Sequence, residues 1–297
     1  MLRARLGVLL LALAGCAGGP ELTAPPQAAV VVGLIGDTPY SQWAAEQLDR
    51  VIDEMNATPL AFVVHIGDIG TGEGACGDAW LLARKRQFER IRHPFVLLPG
   101  DNEWTDCQGS GQDPLARLAR WRALFCVEVA LPEFVRQPAQ QPRFGEYCEN
   151  ARWAVGSWVF IALNVPGSNN GIGAHQGLVA EHAQRMQAVR AWLHAALVHA
   201  ARAEVRGLVI LMHANPGFVG TALSPPVRYD GFDALRALLA ESVVRLAKPV
   251  LLVHGDTHSF RDDEPQPGLR RIEVWGWPQV RWISATFFAD GSLEVRE

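Results

Sequence analysis

Pro249-Val250-Leu251-Leu252-Val253-His254-Gly255-Asp256-Thr257-His258 decides how the rest of the chain is read. The apolar run Pro249 to Val253 reads as a buried strand. It ends in a glycine turn that carries His254, Asp256 and His258 within five residues. Alternate side chains of an extended segment point the same way, so Asp256 and His258 can face one ion or one pair of ions. A carboxylate and an imidazole at the carboxyl end of a strand make a metal-binding edge.

Three apolar runs further back end in the same Gly-Asp step. Val30 to Ile35 runs into Gly36-Asp37-Thr38-Pro39-Tyr40, and Leu60 to Ile66 into Gly67-Asp68-Ile69-Gly70. Phe95 to Leu98 runs into Pro99-Gly100-Asp101-Asn102-Glu103-Trp104, and a further run, Gly207 to Met212, ends in His213. Helical spacing of apolar residues falls between them. Ser41 caps a segment with Trp43, Ala44, Leu48, Val51, Ile52 and Met55 on one face. Further helices are expected over Ala79 to Ile91, Pro114 to Phe125, Val179 to Ala203 and Phe232 to Leu246. A hairpin around Gly156 joins Trp153–Val155 to Trp158–Asn164. Val127 to Glu149, rich in Pro and Gln, reads as an irregular excursion. Ile272 to Trp275, Val280 to Ala285 and Leu293 to Arg296 close the chain as strands.

Strands and helices alternate early and the tail is strand-rich. That order predicts an α/β fold over residues 30–297, a single domain with a mixed sheet pair at its centre. Ligands in such folds lie beyond the carboxyl ends of strands, where every Gly-Asp and His ending falls.

Composition narrows the function. The 297-residue chain is about half apolar with a net charge of -4. No long basic stripe is present, and binding nucleic acid by phosphate neutralisation needs one. Arg84-Lys85-Arg86 reads as a solvated helix face. At the start, Arg3 and Arg5 precede an apolar run, Leu6 to Ala14, too short to span a bilayer, which is the pattern of a secretory signal. Leu13-Ala14-Gly15-Cys16 resembles the bacterial lipoprotein box. The resemblance implies cleavage after residue 15, lipid on Cys16, and anchoring at a membrane surface. With Ala17 next, it points to the outer membrane, facing the periplasm. Residues 16–29, with Pro20, Pro25 and Pro26, read as a tether. The other four cysteines, Cys76, Cys107, Cys126 and Cys148, suggest two disulfides, with three connectivities open. Cys76–Cys107 with Cys126–Cys148 is the favoured set, because the first bridge would tie two loops that each follow a Gly-Asp step.

Asp37, Asp68, Asp101, His213, Asp256 and His258 are the candidate metal ligands. Singly, an Asp after Gly is a common turn former, and a lone His is commonly a hydrogen-bonded core residue. Five strand ends with the same donor chemistry are harder to read that way, because buried carboxylates need a counter-charge. Six donors at one edge suit two divalent cations sharing a carboxylate.

The motifs Gly36-Asp37-Thr38, Gly67-Asp68, Gly100-Asp101-Asn102-Glu103, His213 and Gly255-Asp256-Thr257-His258 resemble those of the calcineurin-like metallophosphoesterases, which include purple acid phosphatases. The resemblance spans nearly the whole chain after the tether. It implies a β-sandwich of two mixed sheets flanked by helices, and hydrolysis of a phosphate ester by hydroxide activated at two divalent metals. By position, Asp37 and His258 would hold the first metal, Asp68 would bridge, and Asp101, His213 and Asp256 would hold the second.

The chain departs from the family pattern in three places. Pro39 stands where the family often has a His ligand; His65 lies off the motif and reads as core. Asp101 replaces the usual Asn and Asp256 the usual His, giving four carboxylates and two imidazoles. Such a set favours manganese, magnesium or iron over zinc. Asn102 stands where the family has the His that protonates the leaving group, a contribution of about 10²–10⁴ in rate. Asn102 could still bind a phosphate oxygen, and His175 or His254 could substitute as acid.

Asn164, Asn169 and Asn170 lie in a polar loop that could reach substrate. Trp104, Trp275 and Trp277 flank motif loops and are expected to pack. His93, His182, His194 and His199 are expected to be structural or exposed. Two functions remain: an envelope-anchored phosphoesterase acting on a phosphorylated small molecule, or a non-catalytic relative with a binding or scaffold role.

Overall fold

The computed structural model describes residues 29–172, 178–218 and 229–297. The expected signal segment, Cys16, nearly all of the tether, and His175 lie outside them. Among the described residues twelve strands form in chain order: β1 (Val30–Ile35), β2 (Phe62–His65), β3 (Phe95–Leu97), β4 (Val135–Arg136), β5 (Ala151–Val155) and β6 (Trp158–Ala162). They continue as β7 (Gly207–Leu211), β8 (Val250–His254), β9 (Arg261–Gln266), β10 (Leu269–Glu273), β11 (Ile283–Phe287) and β12 (Leu293–Arg296). One sheet has the order β12-β11-β1-β2-β3 and the other β4-β5-β6-β7-β8-β10-β9. Both sheets are mixed. β1, β2 and β3 are parallel, with β11 antiparallel to β1. β6, β7, β8 and β10 are parallel, with β5 and β9 antiparallel at either side.

The period of two along each strand builds the layers. Leu34, Val64 and Val96 point between the sheets, where they meet Phe160, Leu211 and Val253. Their neighbours Ile35, Val63 and Leu97 point outward. There they pack against helices Gln42–Ala57, Asp78–Phe88 and Pro114–Phe125 through Leu48, Ile52, Leu81 and Trp121. On the other sheet Ile161, Ile210 and Leu252 face Trp192, Leu193 and Leu239 of helices Val179–Ala200 and Asp233–Leu246. The inter-sheet core centres on Phe160, edge-on to Phe62 at 5.0 Å and stacked on Trp153 at 5.7 Å. Each such aromatic pair adds about 0.5–1.5 kcal/mol beyond its buried area.

Local signals set the helix ends. The Ser41 side chain accepts from the Ala44 N–H, and Asp113 caps the helix that Pro114 opens. Such a cap stabilises by about 1 kcal/mol. Both expected disulfides form, Cys76–Cys107 and Cys126–Cys148, with Cα atoms 5.5 and 5.8 Å apart. The second pins the excursion after Phe125, which also contains the two-residue strand β4. β9, Arg-Asp-Asp-Glu-Pro-Gln, is a strand the sequence did not announce. It is an edge strand held to β10 by Arg270–Asp262 and Arg271–Asp263 pairs rather than by apolar alternation. Among the described residues no helix is long and apolar enough to cross a membrane.

Register aims the loops at one edge. Ile35 pairs with His65 and His65 with Leu97, so Asp37, Asp68 and Asp101 each leave the sheet within four residues of a matched strand end. Leu211 pairs with Val253, which does the same for His213 and Asp256.

Candidate metal centre

The expected ligands meet at that edge. Asp37, Asp68 and His213 offer ligand atoms that all lie within 4.8 Å of one another, and so do Asp101, His213 and Asp256. His213 Nε2 is 3.1 Å from Asp101 Oδ1, 3.4 Å from Asp68 Oδ1 and 3.9 Å from Asp256 Oδ1. His258 stands at the rim outside both triplets, its Nε2 3.6 Å from Asp37 Oδ1.

The backbone is bent to achieve this. Asp37, Asp68, Asp256 and His258 all have left-handed conformations, with φ of 51°, 59°, 79° and 59°. Each costs an L-residue about 1–2 kcal/mol and persists only where the surroundings over-determine it. They do so here. The Asp37 N–H donates to the Gly67 carbonyl, the Asp37 carboxylate accepts from the Asp256 N–H, and the Asp256 carboxylate accepts from the Asn215 N–H. Gly100 is required by space: a Cβ there would lie 2.0 Å from Asp68 Oδ1.

Several partners were not foreseen. Glu103, fully buried, accepts from the N–H groups of Ile69 at 2.5 Å, Gly100 at 2.6 Å and Asp68 at 3.3 Å, tying the loops after β2 and β3 together. Tyr40, next to Pro39, donates to Asp68 Oδ2 at 2.7 Å and lies 3.2 Å from His258 Nε2. Ser168 donates to Asp101 Oδ2 at 2.8 Å. The buried Glu273 binds Thr257 and Arg261, backing the loop of Asp256 and His258. Glu103 was visible as part of a motif; Tyr40 and Ser168 carried no spacing signal.

Other expected residues fall into place or change role. Asn102 reaches the centre, but its amide nitrogen is engaged with Asp68 Oδ2 at 2.7 Å and the Gly70 carbonyl at 2.9 Å. It holds the Asp68 carboxylate. The polar loop reaches the site through Ser168, not through the asparagines. Asn169 is bonded to Tyr229 and Gly231, Asn170 to Arg185 and Gly231, and Asn164 to Glu149. His65 is core, its Nε2 donating to the Thr38 carbonyl while its Nδ1 accepts from Gly67, and burial lowers it to about 4. Burial likewise pushes His254 down to about 3, so it stays neutral and is no acid at neutral pH. Trp104 is wholly buried, Trp275 stacks on Phe260, and Trp277 stacks on Tyr40. His93, His182, His194 and His199 are bonded to groups away from the centre.

The electrostatics ask for cations. Burial drives Asp37 up to about 8 and Asp256 and Glu103 to about 7, and raises Asp68 well above the carboxylate range. Burial would also push Asp101 up, but His213 and the Ser168 hydroxyl outweigh it and hold it below the usual range. For His213 burial acts downward, yet Asp68, Asp101 and Asp37 hold its imidazole well above the ordinary value. Its Nδ1 faces the Ile66 carbonyl at 3.1 Å and must donate there. In the neutral ring Nε2 is then a lone pair aimed at carboxylates, which only a proton or a metal ion can reconcile. The buried Asp and His clusters therefore fit two divalent metals.

A dimetal phosphatase from Danio rerio superposes with a TM-score of 0.54 at 13% identity, covering 91% of this chain and 99% of that one. The purple acid phosphatase from yellow lupin seeds gives 0.53 at 14% identity, covering 91% of this chain and 52% of that one. The chain has the calcineurin-like metallophosphoesterase fold. A 5'-nucleotidase precursor from Thermus thermophilus shares the metallophosphoesterase fold, with a TM-score of 0.50 at 14% identity over 91% of this chain and 54% of that one. The chain thus spans about half the length of the lupin and Thermus proteins. No family model and no curated protein sequence matches it. On this metallophosphoesterase fold the clustered carboxylates lie at the carboxyl ends of the parallel strands of both sheets.

Proposed function

We propose that the chain is a metal-dependent phosphoric ester hydrolase with a dinuclear centre. One observation carries the reading: His213, whose Nδ1 is committed to the Ile66 carbonyl, turns Nε2 to the carboxylates of Asp68, Asp101 and Asp256, where a proton or a metal ion must stand. Asp37, Asp68, Asp101, His213, Asp256 and His258 would hold the ions. A carboxylate has two oxygens to share and an imidazole nitrogen one lone pair, so Asp68 rather than His213 would be the common ligand. Two divalent ions would neutralise charge on the phosphoryl group and activate water for in-line attack. The chain's own part is positioning: Tyr40 and Asn102 fix Asp68 Oδ2, and Glu103 fixes the loops. The substrate would be a phosphorylated small molecule, in keeping with the nucleotidase among the fold neighbours.

Asn102 is a weak proton donor already engaged with Asp68, so leaving groups must depart largely unaided. Aryl phosphates should be cleaved much faster than alkyl phosphates; equal rates would mean that another acid operates. Four carboxylates with two imidazoles favour manganese, magnesium or iron. Protein purified without added metal that carries stoichiometric zinc would reject that preference. The deciding test is nitrophenol release from mono- and bis-nitrophenyl phosphate with and without manganese, with Asp68→Asn beside the parent protein. No manganese-dependent release would sink the hydrolase reading.

The same Asn102 contact favours a second reading, a non-catalytic metal-binding protein of this fold with a scaffold role; metal binding without turnover in that assay would select it. In either case the lipoprotein-like start supports anchoring through Cys16 at the periplasmic face of the outer membrane. Two disulfides are in keeping with an oxidising compartment. Cys16→Ser should move the protein from the membrane fraction to the soluble fraction; an unchanged distribution rejects the anchor.

A further inference from the structure

We propose that Ser168 is a positioning residue of the metal centre: its hydroxyl holds Asp101 Oδ2, so that Oδ1 is presented to the ion beside His213. The inference rests on the dinuclear reading above. Ser168 Oγ lies 2.8 Å from Asp101 Oδ2, while Asp101 Oδ1 lies 3.1 Å from His213 Nε2. The two oxygens of one carboxylate thus have separate partners. A hydrogen bond to the outer oxygen of a ligand carboxylate fixes which oxygen faces the metal and at what angle. Ser168 Oγ is also 2.7 Å from Asp106 Oδ1. With one proton to give, the hydroxyl serves one carboxylate at a time.

Its position is built at a cost. Ser168, Asn169 and Asn170 are three successive left-handed residues, with φ of 50°, 55° and 57°. Left-handed backbone is unfavourable for an L-residue, so such a run needs strong support. The support is Arg185, wholly buried on helix Val179–Ala200. Its guanidinium donates to Asn170 Oδ1 at 2.6 Å and to the Asn170 carbonyl at 2.9 Å. Gly231 grips the other side, its N–H donating to Asn169 Oδ1 and its carbonyl accepting from Asn170 Nδ2. Both asparagines thus hold the turn, and Ser168 is the side chain turned toward the carboxylates. The turn also presses close: a Cβ on Gly167 would lie 2.5 Å from Asp256 Oδ1 and 2.6 Å from Asp101 Oδ2. A strained turn clamped by a buried cation and aimed at the two carboxylates that share His213 is a device for orienting them.

Ser168→Ala and Ser168→Gly separate the hydroxyl from the backbone. Both remove the hydrogen bond, but glycine adopts the left-handed conformation freely. Manganese binding by calorimetry and melting of the metal-free protein are measured on both variants and on the parent. The expected result is a roughly 10–100-fold weaker affinity at one of two sites in both variants. The other site is unchanged, and the metal-free Ser168→Gly melts no lower than the parent. Two variants that bind both ions as tightly as the parent overturn the inference and leave the dinuclear reading standing. Equal weakening of both sites with a lower melting temperature in both variants also overturns it, since that is a merely structural role. A parent protein that binds no divalent ion removes the dinuclear reading and this inference with it.

Discussion

His213 donates from Nδ1 to the Ile66 carbonyl and faces Asp101 Oδ1 with Nε2, each at 3.1 Å. Ile66 follows β2 and Asp101 follows β3, whereas His213 follows β7 in the opposite sheet. The ring therefore couples the two halves of the sandwich at the edge where the carboxylates gather.

His213 has one nitrogen left to give, since Nδ1 is committed to the Ile66 carbonyl, so it would serve one ion while Asp68 serves both. His213→Ala is expected to weaken manganese binding at one site, by more than the roughly 10–100-fold typical of residues that only support a ligand. Asp68→Ala, which removes the common ligand, should weaken both sites. Calorimetric titration of both variants checks this; an Asp68→Ala protein that keeps either site at parental affinity would contradict Asp68 as the shared ligand.

The raised acids make the metal-free protein sensitive to pH. Burial lifts Asp37 to about 8 and Asp256 and Glu103 to about 7, and the surrounding carboxylates hold His213 well above its usual value. Burial holds His65 down to about 4 and His254 to about 3, so below about pH 6.5 these two are protonated only in the unfolded chain and oppose the raised acids. From about pH 6.5 to 8 the folded state binds more protons than the unfolded chain, so stability must fall as pH rises through that window. His213 contributes in the same sense, since the stability from its raised value is present at low pH and lost above it. Asp101 is ionised in both states there and adds no slope. Bound divalent ions displace these protons and should flatten the dependence. Melting curves at about pH 6.5 and 8, with and without manganese, test the sign. A metal-free protein that melts higher at the upper pH refutes it.

Much of this was legible because strand ends are local signals. The apolar runs Val30–Ile35 and Gly207–Met212 and the Gly-Asp steps after β1, β2 and β3 placed the sheets and the edge where the carboxylates gather, and Pro114 placed a helix start to the residue. β9 was not legible, because its pairing comes from Arg270 and Arg271 on the neighbouring strand and not from its own periodicity. Tyr40 and Ser168 were missed for a similar reason. Each acts across long sequence separation, on Asp68 and Asp101 respectively, and Ser168 does so from a left-handed backbone conformation that composition does not encode. Asn169 and Asn170 clamp a turn, and a polar loop beside a site has the same sequence whether its amides do that or face outward.

Gly100 offers a test of close packing at the ligand edge. A methyl group there would sit 2.0 Å from Asp68 Oδ1 and 2.5 Å from the Asp68 nitrogen, so the loops after β2 and β3 must separate. Gly100→Ala is expected to lose about 1–3 kcal/mol of stability. It should also weaken both metal sites, which would share Asp68, while keeping the parental far-ultraviolet circular dichroism. Parental metal affinity in this variant would show that the loops tolerate separation and that the Asp68 geometry is not fixed by Gly100.

The two disulfides should differ in what they protect. Cys76–Cys107 joins the loop after Asp68 to the loop after Asp101, and the Cys107 sulfur lies 3.5 Å from the Asn102 carbonyl oxygen. Cys126–Cys148 closes the excursion that follows helix Pro114–Phe125. The sequence separations of 31 and 22 residues are similar. Chain entropy alone therefore assigns each bridge about 3–4 kcal/mol. Replacing either pair with serines should lower the melting temperature by comparable amounts. Manganese affinity should separate them, because only the first bridge restrains the segment that carries Asp101 and Asn102. The Cys76→Ser, Cys107→Ser double variant should bind manganese more weakly, and the Cys126→Ser, Cys148→Ser double variant should bind it as the parent does. Equal affinity in the two would mean that Glu103, with its bonds to Ile69 and Gly100, holds the ligand loops without help from the bridge.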